Sequence, residues 1–398
     1  MSPPLSRPVL LLAVLAAGLP TAQAGSCLDE GKLLFDARLR LETVDDDAFA
    51  RDAEALTLRT RLGWRSCSRH GFFAVLEAED VRALREDYNS TANGRGQYPL
   101  VADPEGSEWN QAYIGWDSGA GTQAALGRQR LLFDNQRFIG NVGWRQNEQT
   151  FDALALSRTI GTTTTLRYAW LDRVHRVFGN AHPNPLQAEH DLDGHLLHAA
   201  FALPAGALST YGYWIENEDI PAASTRSIGL RFSGTRAGPG GFELLYAAEG
   251  AHQQGWRDAP STGSVGYLMG EIGLRRGGHA LKLGGERLGS NGRRAFQTPL
   301  ATGHAFNGWA DRFLATPADG LQDRYLKVDG PLGPLRYAIA WHRFDAERGS
   351  ADYGSELDLQ LAWTFARRWT ALAKLADYRS DGFGSDQRKG WLSVEYRY

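Results

Sequence analysis

Residues Asp134–Phe151 combine side chains that could line and narrow a water-filled passage. The stretch has no helical or strand period and is crowded with Asn, Gln and Arg, yet it keeps Phe138, Ile139, Val142 and Trp144. Solvated loops rarely hold so much apolar material. A buried loop needs partners for its backbone polar groups, which amide and guanidinium side chains can supply. We therefore expect a loop folded into the mouth or lumen of a β-barrel, with a well-packed surface loop as the alternative.

Several polar and aromatic side chains of this loop are expected to form the constriction itself. Arg137 and Arg145 would make it basic, with carboxylates of the same loop as their partners. The expected constriction residues are Asp134, Asn135, Asn141, Trp144, Asn147 and Glu148.

Arginine is the dominant cation of the chain. Of the 43 Lys and Arg residues, five are lysine and 38 are arginine. The planar guanidinium suits carboxylates, but a GC-rich genome would produce the same bias, so the positions of the arginines must decide. On the first two predicted strands only Asp36 and Glu42 compete locally with four arginines, which favours a track for anions over ordinary lumen ion pairs. The expected pore-lining set is Arg38, Arg40, Arg59, Arg61, Arg128, Arg130, Arg137 and Arg145.

Two features qualify this set. Arg128 and Arg130 share strand parity with Leu126, so either Gly127 marks a bulge or the alternation fails there. Acidic side chains are also predicted on inward faces, where they could pair with the arginines and stiffen the wall: Asp36, Glu77, Glu79, Glu286, Glu356, Asp358 and Glu395.

The elements that would position these residues are β-strands. Leu33–Leu41 alternates strictly, with apolar residues on one face and charged residues on the other, and Leu56–Trp64 repeats the pattern. About 18 such segments of near ten residues follow one another, and short connections alternate with longer ones. This is the pattern of an all-β, single-domain transmembrane barrel with short periplasmic turns and longer external loops. The chain ends on an alternating strand, Leu392–Tyr398.

The N-terminus has the features of a secretory signal peptide. Arg7 precedes an apolar run, Val9–Leu19, and Ala22-Gln23-Ala24 forms a cleavage site, so we expect residues 1–24 to be removed and residues 25–398 to form the barrel. The other apolar runs are too short to span a bilayer as a helix. Forty-six glycines and an aromatic content of 11% suit tight turns and interfacial girdles.

The sequence shows no sign of cofactor or metal chemistry. Cys27 and Cys67 would both lie at the periplasmic end of the first hairpin, so a disulfide is expected, with two free cysteines as the alternative. Asp45–Asp47 lacks the glycine and the ligand spacing of a calcium loop, and the histidines lack zinc spacing. Nucleophile-elbow, P-loop and dinucleotide-binding motifs are absent.

Several long strings resemble the alginate export family of outer-membrane proteins. They are ALTLRTRLGW (55–64), DYNST (87–91), VADPEGSEWNQAYI (101–114), LGRQR (126–130) and DNQRFIGNVGWRQNEQTFDALAL (134–156). The resemblance implies an 18-stranded barrel whose Arg-lined lumen passes a polyanionic uronate polymer. The family motifs fall on Arg59, Arg61, Arg128, Arg130, Arg137 and Arg145. The chain is shorter than expected for the dedicated alginate exporter, with little room for gating segments.

We therefore expect a passive channel in a Gram-negative outer membrane that passes anionic saccharides or polyuronates. A general diffusion porin, a barrel enzyme and a closed structural or adhesive barrel are the alternatives. The enzyme is disfavoured because the sequence shows no nucleophile, base and orienting group that would meet. The expected partners are outer-membrane lipid, lipopolysaccharide, an anionic saccharide and, through the C-terminal strand, the barrel-assembly machinery. We expect a monomer that binds no nucleic acid and needs no cofactor.

Overall fold

The computed structural model describes residues 30–398, and its strands form one closed antiparallel sheet of 18 members. Each strand pairs with its neighbours in sequence, and the first strand also pairs with the last, which closes the barrel. This confirms the predicted fold. The strands are β1 (Lys32–Asp46), β2 (Ala53–Arg65), β3 (Phe72–Asp87), β4 (Gly106–Asp117), β5 (Thr122–Gln129), β6 (Thr150–Ile160), β7 (Thr164–His175), β8 (Glu189–Leu203), β9 (Gly206–Asn217), β10 (Thr225–Ala237), β11 (Glu243–Gly255), β12 (Ser264–Arg276), β13 (His279–Leu288), β14 (Leu321–Leu332), β15 (Leu335–Asp345), β16 (Asp352–Phe365), β17 (Trp369–Ser380) and β18 (Gln387–Arg397).

Side-chain alternation along the strands separates a polar inner face from an apolar outer face. In β1, Arg38, Arg40 and Glu42 are buried inside, whereas Leu33 and Leu39 lie exposed on the other face. Around the rest of the barrel the outer face likewise presents large apolar side chains that no other part of the described chain covers. Such a band is typical of a barrel surrounded by lipid.

The connections at one end of the barrel are short, and several at the other end are long. The short end includes 204–205, 277–278 and 333–334, whereas the long end includes 88–105, 130–149, 176–188 and 289–320. Connection 176–188 contains one helical turn, α1 (Pro185–Ala188), and 3₁₀ turns occur at Pro221–Ala223 and Pro239–Gly241. No described helix is long and apolar enough to cross a membrane.

The buried core lies inside the barrel, in the half nearer the long connections. It joins inward side chains of the wall, such as Tyr211 and Trp391, to connection residues such as Phe138 and Phe313. The barrel wall therefore encloses the core, and residues of some long connections occupy the space inside the barrel. The expected signal peptide, residues 1–24, lies outside the described residues.

Candidate functional site

Two long connections, 130–149 and 289–320, fold into the barrel and form what we call the inner loop layer. They are joined by backbone hydrogen bonds, in which Gly140 N donates to Leu300 O at 2.9 Å and Thr302 N donates to Gln136 O at 3.1 Å. The Gln149 side-chain amide adds a third link by donating to the Leu300 carbonyl at 3.1 Å, and it also donates to the Gly140 carbonyl of its own connection at 2.8 Å. The two connections therefore behave as one body across the lumen.

Apolar packing seats this layer against the wall. The Phe138 ring lies edge-on to Tyr267, with centroids 5.6 Å apart, and 5.0 Å from Tyr211. Phe296, from the other connection, packs edge-on to the same phenyl ring. Ile139 is only 1% exposed. The aromatic residues that distinguish Asp134–Phe151 in the sequence therefore pack the loop against the inside of the barrel. The loop ends before Thr150, where β6 begins.

Arginines of β1 hold the layer by its backbone carbonyls. Arg38 donates to Gln146 Oε1 at 2.9 Å and also to the carbonyl oxygens of Gly143 and Arg145. Arg40 donates to the Trp144 carbonyl and to the Asp103 carboxylate. These guanidinium groups satisfy the backbone of an irregular buried segment, which is a structural task.

The two expected arginines of β2 are paired with carboxylates. Arg59 bonds Asp36 and, at 2.8 Å, Glu395 of β18. Arg61 bonds Glu79 and lies 3.4 Å from Glu148. The expectation that only Asp36 and Glu42 compete for this cluster is therefore wrong. Most of the competing acids come from strands and loops that are distant in sequence, where local spacing cannot reveal them.

Arg137 and Arg145 lie within the layer and are buried there. Arg137 bonds Glu286 of β13 at 3.1 Å. Arg145 bonds Glu42 of β1 at 3.0 Å and Asp311 of the second connection at 2.8 Å. Burial would lower the pKa of Arg145, but the carboxylates around it outweigh burial and raise its pKa. Both arginines act as cross-links between the layer and the wall.

Glu148 is the main acid of the first connection. It accepts from the amides of Asn110, at 2.6 Å, and Asn141, at 2.5 Å, and also pairs with Arg130. Burial favours the neutral acid, but Arg61 and Arg130 outweigh burial and hold the pKa of Glu148 at about 2. The carboxylate is therefore ionised throughout the ordinary pH range.

The other expected constriction residues are spread around the layer. Asp134 accepts from His198 and Ser209, both at 2.8 Å, and Asn147 donates to the Pro104 carbonyl. Asn135 borders a small cavity of about 170 Å³. The Trp144 ring stacks on the His304 ring with centroids 4.4 Å apart.

Arg128 and Arg130 point to opposite sides of the wall. The β4–β5 register runs unbroken through Gly127, so Arg128 stays on the outer face with Leu126, where it bonds Asp152 at 3.0 Å. The pore-lining expectation for Arg128 is therefore wrong. Arg130 follows the end of β5 and turns inward to Glu77, at 2.6 Å. Gly127 has φ +123°, and a Cβ there would lie 2.4 Å from the Ala112 carbonyl oxygen, which explains the glycine.

A buried acidic sector on β13–β16 anchors the second connection. The Asn307 amide donates to Glu286 at 2.9 Å and to Asp323 at 3.1 Å. Ala310 N donates to Glu356 at 2.7 Å. Strand parity had predicted Glu286, Glu356 and Asp358 to face inward. The inward position of connection 289–320 was missed, although its aromatic and amide residues meet the criterion applied to Asp134–Phe151.

A cavity of about 560 Å³ lies beneath the layer, toward the short-turn end of the barrel. Its walls include inward side chains of β13–β18, and its roof includes residues of both connections. Basic side chains outnumber acidic ones among its lining residues. The lining residues include Lys282, Lys327, Lys374, Trp144, Trp309 and His304.

Two remaining expectations concern cysteines and metals. Cys67 is disulfide-bonded, whereas Cys27 lies outside the described residues. Within residues 30–398, the structure brings together no His, Cys, Asp and Glu group suited to hold a metal ion.

Comparisons with known proteins agree with this geometry. A model of the alginate export family matches residues 32–282. No curated protein matches the chain. OpdK of Pseudomonas aeruginosa, in a crystal structure with vanillate, is similar with a TM-score of 0.73 and 14% identity, covering 94% of this chain and 99% of that one. OccK9 (OpdG) of the same organism gives 0.71 and 16%, and OccAB3 of Acinetobacter baumannii gives 0.71 and 12%; each comparison covers 93% of this chain and 99% of the other. Identities this low show a shared fold alone.

Proposed function

The chain belongs to the alginate export family of outer-membrane channels, and we propose that the solutes it passes are anionic saccharides. The family and the porin-like barrel point to transport and not to enzymatic activity. The choice of solute depends on the charges that remain available inside the lumen, because most of the inward arginines are occupied by carboxylates and carbonyls.

One pair of residues carries the proposal. Lys282 of β13 and Lys327 of β14 are directly opposite one another, and both line the 560 Å³ cavity. Like charges that face each other across a strand pair are destabilising. Lys327 forms no ion pair with any residue in the described part of the chain, and Lys282 has one, with Glu271 at 3.4 Å. Uncompensated cations in a lumen favour anions.

A neighbouring cavity extends this basic surface. Its volume is about 400 Å³, and it shares Lys282 and Asp329 with the first cavity. It adds Arg231 of β10 and Arg336 of β15, the latter with a side chain 66% exposed. Arg231 is paired with Glu249 at 2.8 Å, but Lys282, Lys327 and Arg336 are held only loosely or not at all by carboxylates. An anion entering from the short-turn end would therefore meet several loosely held cations, so it can bind and still leave.

Reversal potentials test the proposal. Purified full-length protein is placed in a planar bilayer with a KCl gradient across it. The sign of its reversal potential should show that chloride permeates more readily than potassium. Replacement of both lysines, Lys282→Gln with Lys327→Gln, should shift that potential toward zero. A wild-type channel without selectivity would instead indicate a general diffusion porin.

We also propose that the barrel works as a monomer and is assembled from its last strand, because β18 closes the sheet by itself against β1. Size-exclusion chromatography with light scattering in detergent tests the oligomeric state. A stable trimer would contradict it.

A further inference from the structure

We propose that the cavity beneath the inner loop layer is a binding site for a small hydroxylated carboxylate of one or two rings, and not for a chain-long polymer. This inference rests on the proposed function and makes it narrower. It assigns a place, a ligand size and a set of contacting residues that the family match does not assign.

The placement of lysines points to this cavity. The chain has five lysines and 38 arginines, and three of the five lysines, Lys282, Lys327 and Lys374, line this one space. Lysine is therefore concentrated at this cavity, whereas arginine is the usual cation elsewhere in the chain. Lys374 is held in place, because it is 5% exposed and its ammonium lies 2.6 Å from His304 Nε2. Lys282 and Lys327 are held less tightly than the arginines of β2, which a purely structural role would not require.

The chemistry of the two cations explains the difference. Arginine forms a rigid fork that suits fixed partners, as Arg38 shows with the carbonyls of the layer. Lysine carries a compact, strongly hydrated charge on a flexible stem. Lys327 lies 4.2 Å from the centre of the Tyr325 ring and has no carboxylate within ion-pair distance among the described residues. It is therefore free to follow a ligand that comes and goes.

The remaining lining fits a ring that carries hydroxyl groups. Trp144 and Trp309 are partly exposed at the roof, and the Lys374 ammonium lies 3.7 Å from the centre of the Trp309 ring. Thr302, Thr370 and Ser393 place hydroxyl groups around the same space. Small-molecule sites typically combine apolar and aromatic walls with a few polar groups that fix orientation.

The layer above limits the length of the ligand. Its residues contact the wall on opposite sides of the barrel, through Gln146 to β2 and through Phe138 to β9 and β12. A polymer threading the barrel would have to break these buried contacts. The cavity volume of about 560 Å³ lies within the range of roughly 300–1,000 Å³ found for sites of single small molecules.

The test uses single-channel current from full-length protein with galacturonate, galactose or polygalacturonate added. Galacturonate should reduce the wild-type current in a saturable manner, and galactose at equal concentration should not. In Lys282→Gln/Lys327→Gln the half-blocking concentration of galacturonate should rise at least tenfold. Lys282→Arg/Lys327→Arg, which keeps both charges, should retain part of the block. Heat-modifiable gel migration checks that each variant forms a barrel.

Lys32→Gln is the matched control, because it removes one lysine that does not line the cavity and should leave the block unchanged. Equal effects of galactose and galacturonate, an unaltered block in the double glutamine variant, or block by the polymer alone would each overturn the inference. An anion-selective channel without galacturonate block would refute the binding site only. Loss of selectivity in the wild type would refute the proposed function.

Discussion

The carboxylate of Glu148, in an inward connection, lies 3.4 Å from the guanidinium of Arg61 on β2. Both side chains are buried, and Arg130, Asn110 and Asn141 also bond the carboxylate. This contact fixes the first connection to the barrel wall at the point where the chain returns to β6.

Replacing Glu148 with glutamine should destabilise the barrel by about 3 kcal/mol, because Arg61 and Arg130 would lose a shared buried counter-charge. Urea unfolding in detergent, followed by tryptophan fluorescence, measures the change. Asp258→Asn, which removes an exposed carboxylate from a surface connection, should shift stability by less than about 0.5 kcal/mol. Equal stability of the two variants would show that the Glu148 contacts contribute nothing net.

The same carboxylate predicts a dependence of stability on pH. The pKa of Glu148 is lowered from 4.5 to about 2, so between these values the unfolded chain binds more protons than the folded one. The stabilisation is complete above pH 4.5 and is lost as pH falls toward 2, by about 3 kcal/mol in total. The contribution of Glu148, measured as the difference in unfolding free energy between the wild type and Glu148→Gln, should be nearly the same at pH 7 and pH 5 and clearly smaller at pH 3.

Arg128 and Arg130 should differ in their effects on ion selectivity. Arg128→Ala changes only the outer face and its pair with Asp152, so the reversal potential in a KCl gradient should remain that of the wild type. Arg130→Ala removes an inward cation bound to Glu77 and Glu148 and should reduce anion selectivity. A larger shift for Arg128 than for Arg130 would mean that the β5 side chains are assigned to the wrong faces.

Gln146→Ala should loosen the inner loop layer. The Gln146 side chain accepts from Arg38 at 2.9 Å and donates to Thr57 Oγ1 at 2.8 Å, and its loss leaves a buried guanidinium nitrogen without a partner. We expect a loss of about 1–3 kcal/mol and a larger, noisier single-channel conductance. Gln123→Ala, which removes an exposed hydrogen bond to Asp117 at a short turn, is the control and should leave conductance unchanged.

Much of the fold could be predicted because its signal is local. Alternation in Leu33–Leu41 reports which side chains face inward, and the observed β1 keeps that assignment from Lys32 to Asp46. The long and short connections also follow the predicted alternation. Strand ends are harder to predict, because pairing and not composition sets them: β3 stays paired with β2 as far as Asp87, although its last residues are polar.

The site was less predictable because its partners are distant in sequence. Arg59 is neutralised in part by Glu395, and Arg145 by Asp311, and no spacing rule connects such residues. Strand parity could place Lys282 on the inner face, but it could not show that Lys327 lies directly opposite. What local sequence does reveal is the composition of a buried connection, and the same reasoning applied to 289–320 would have found the second half of the layer.

The pairing of β1 with β18 also has a consequence for the order of assembly. Arg397 bonds Asp36 across nearly the whole length of the chain, so this seam cannot form until the final strand is in place. Until then β1 has one unpaired edge, and such edges invite association with other chains. A late, long-range closure is also slow, because the entropy lost on bringing distant segments together precedes the contacts that compensate for it. The seam is therefore where a chaperone or a folding catalyst would have the greatest effect on yield.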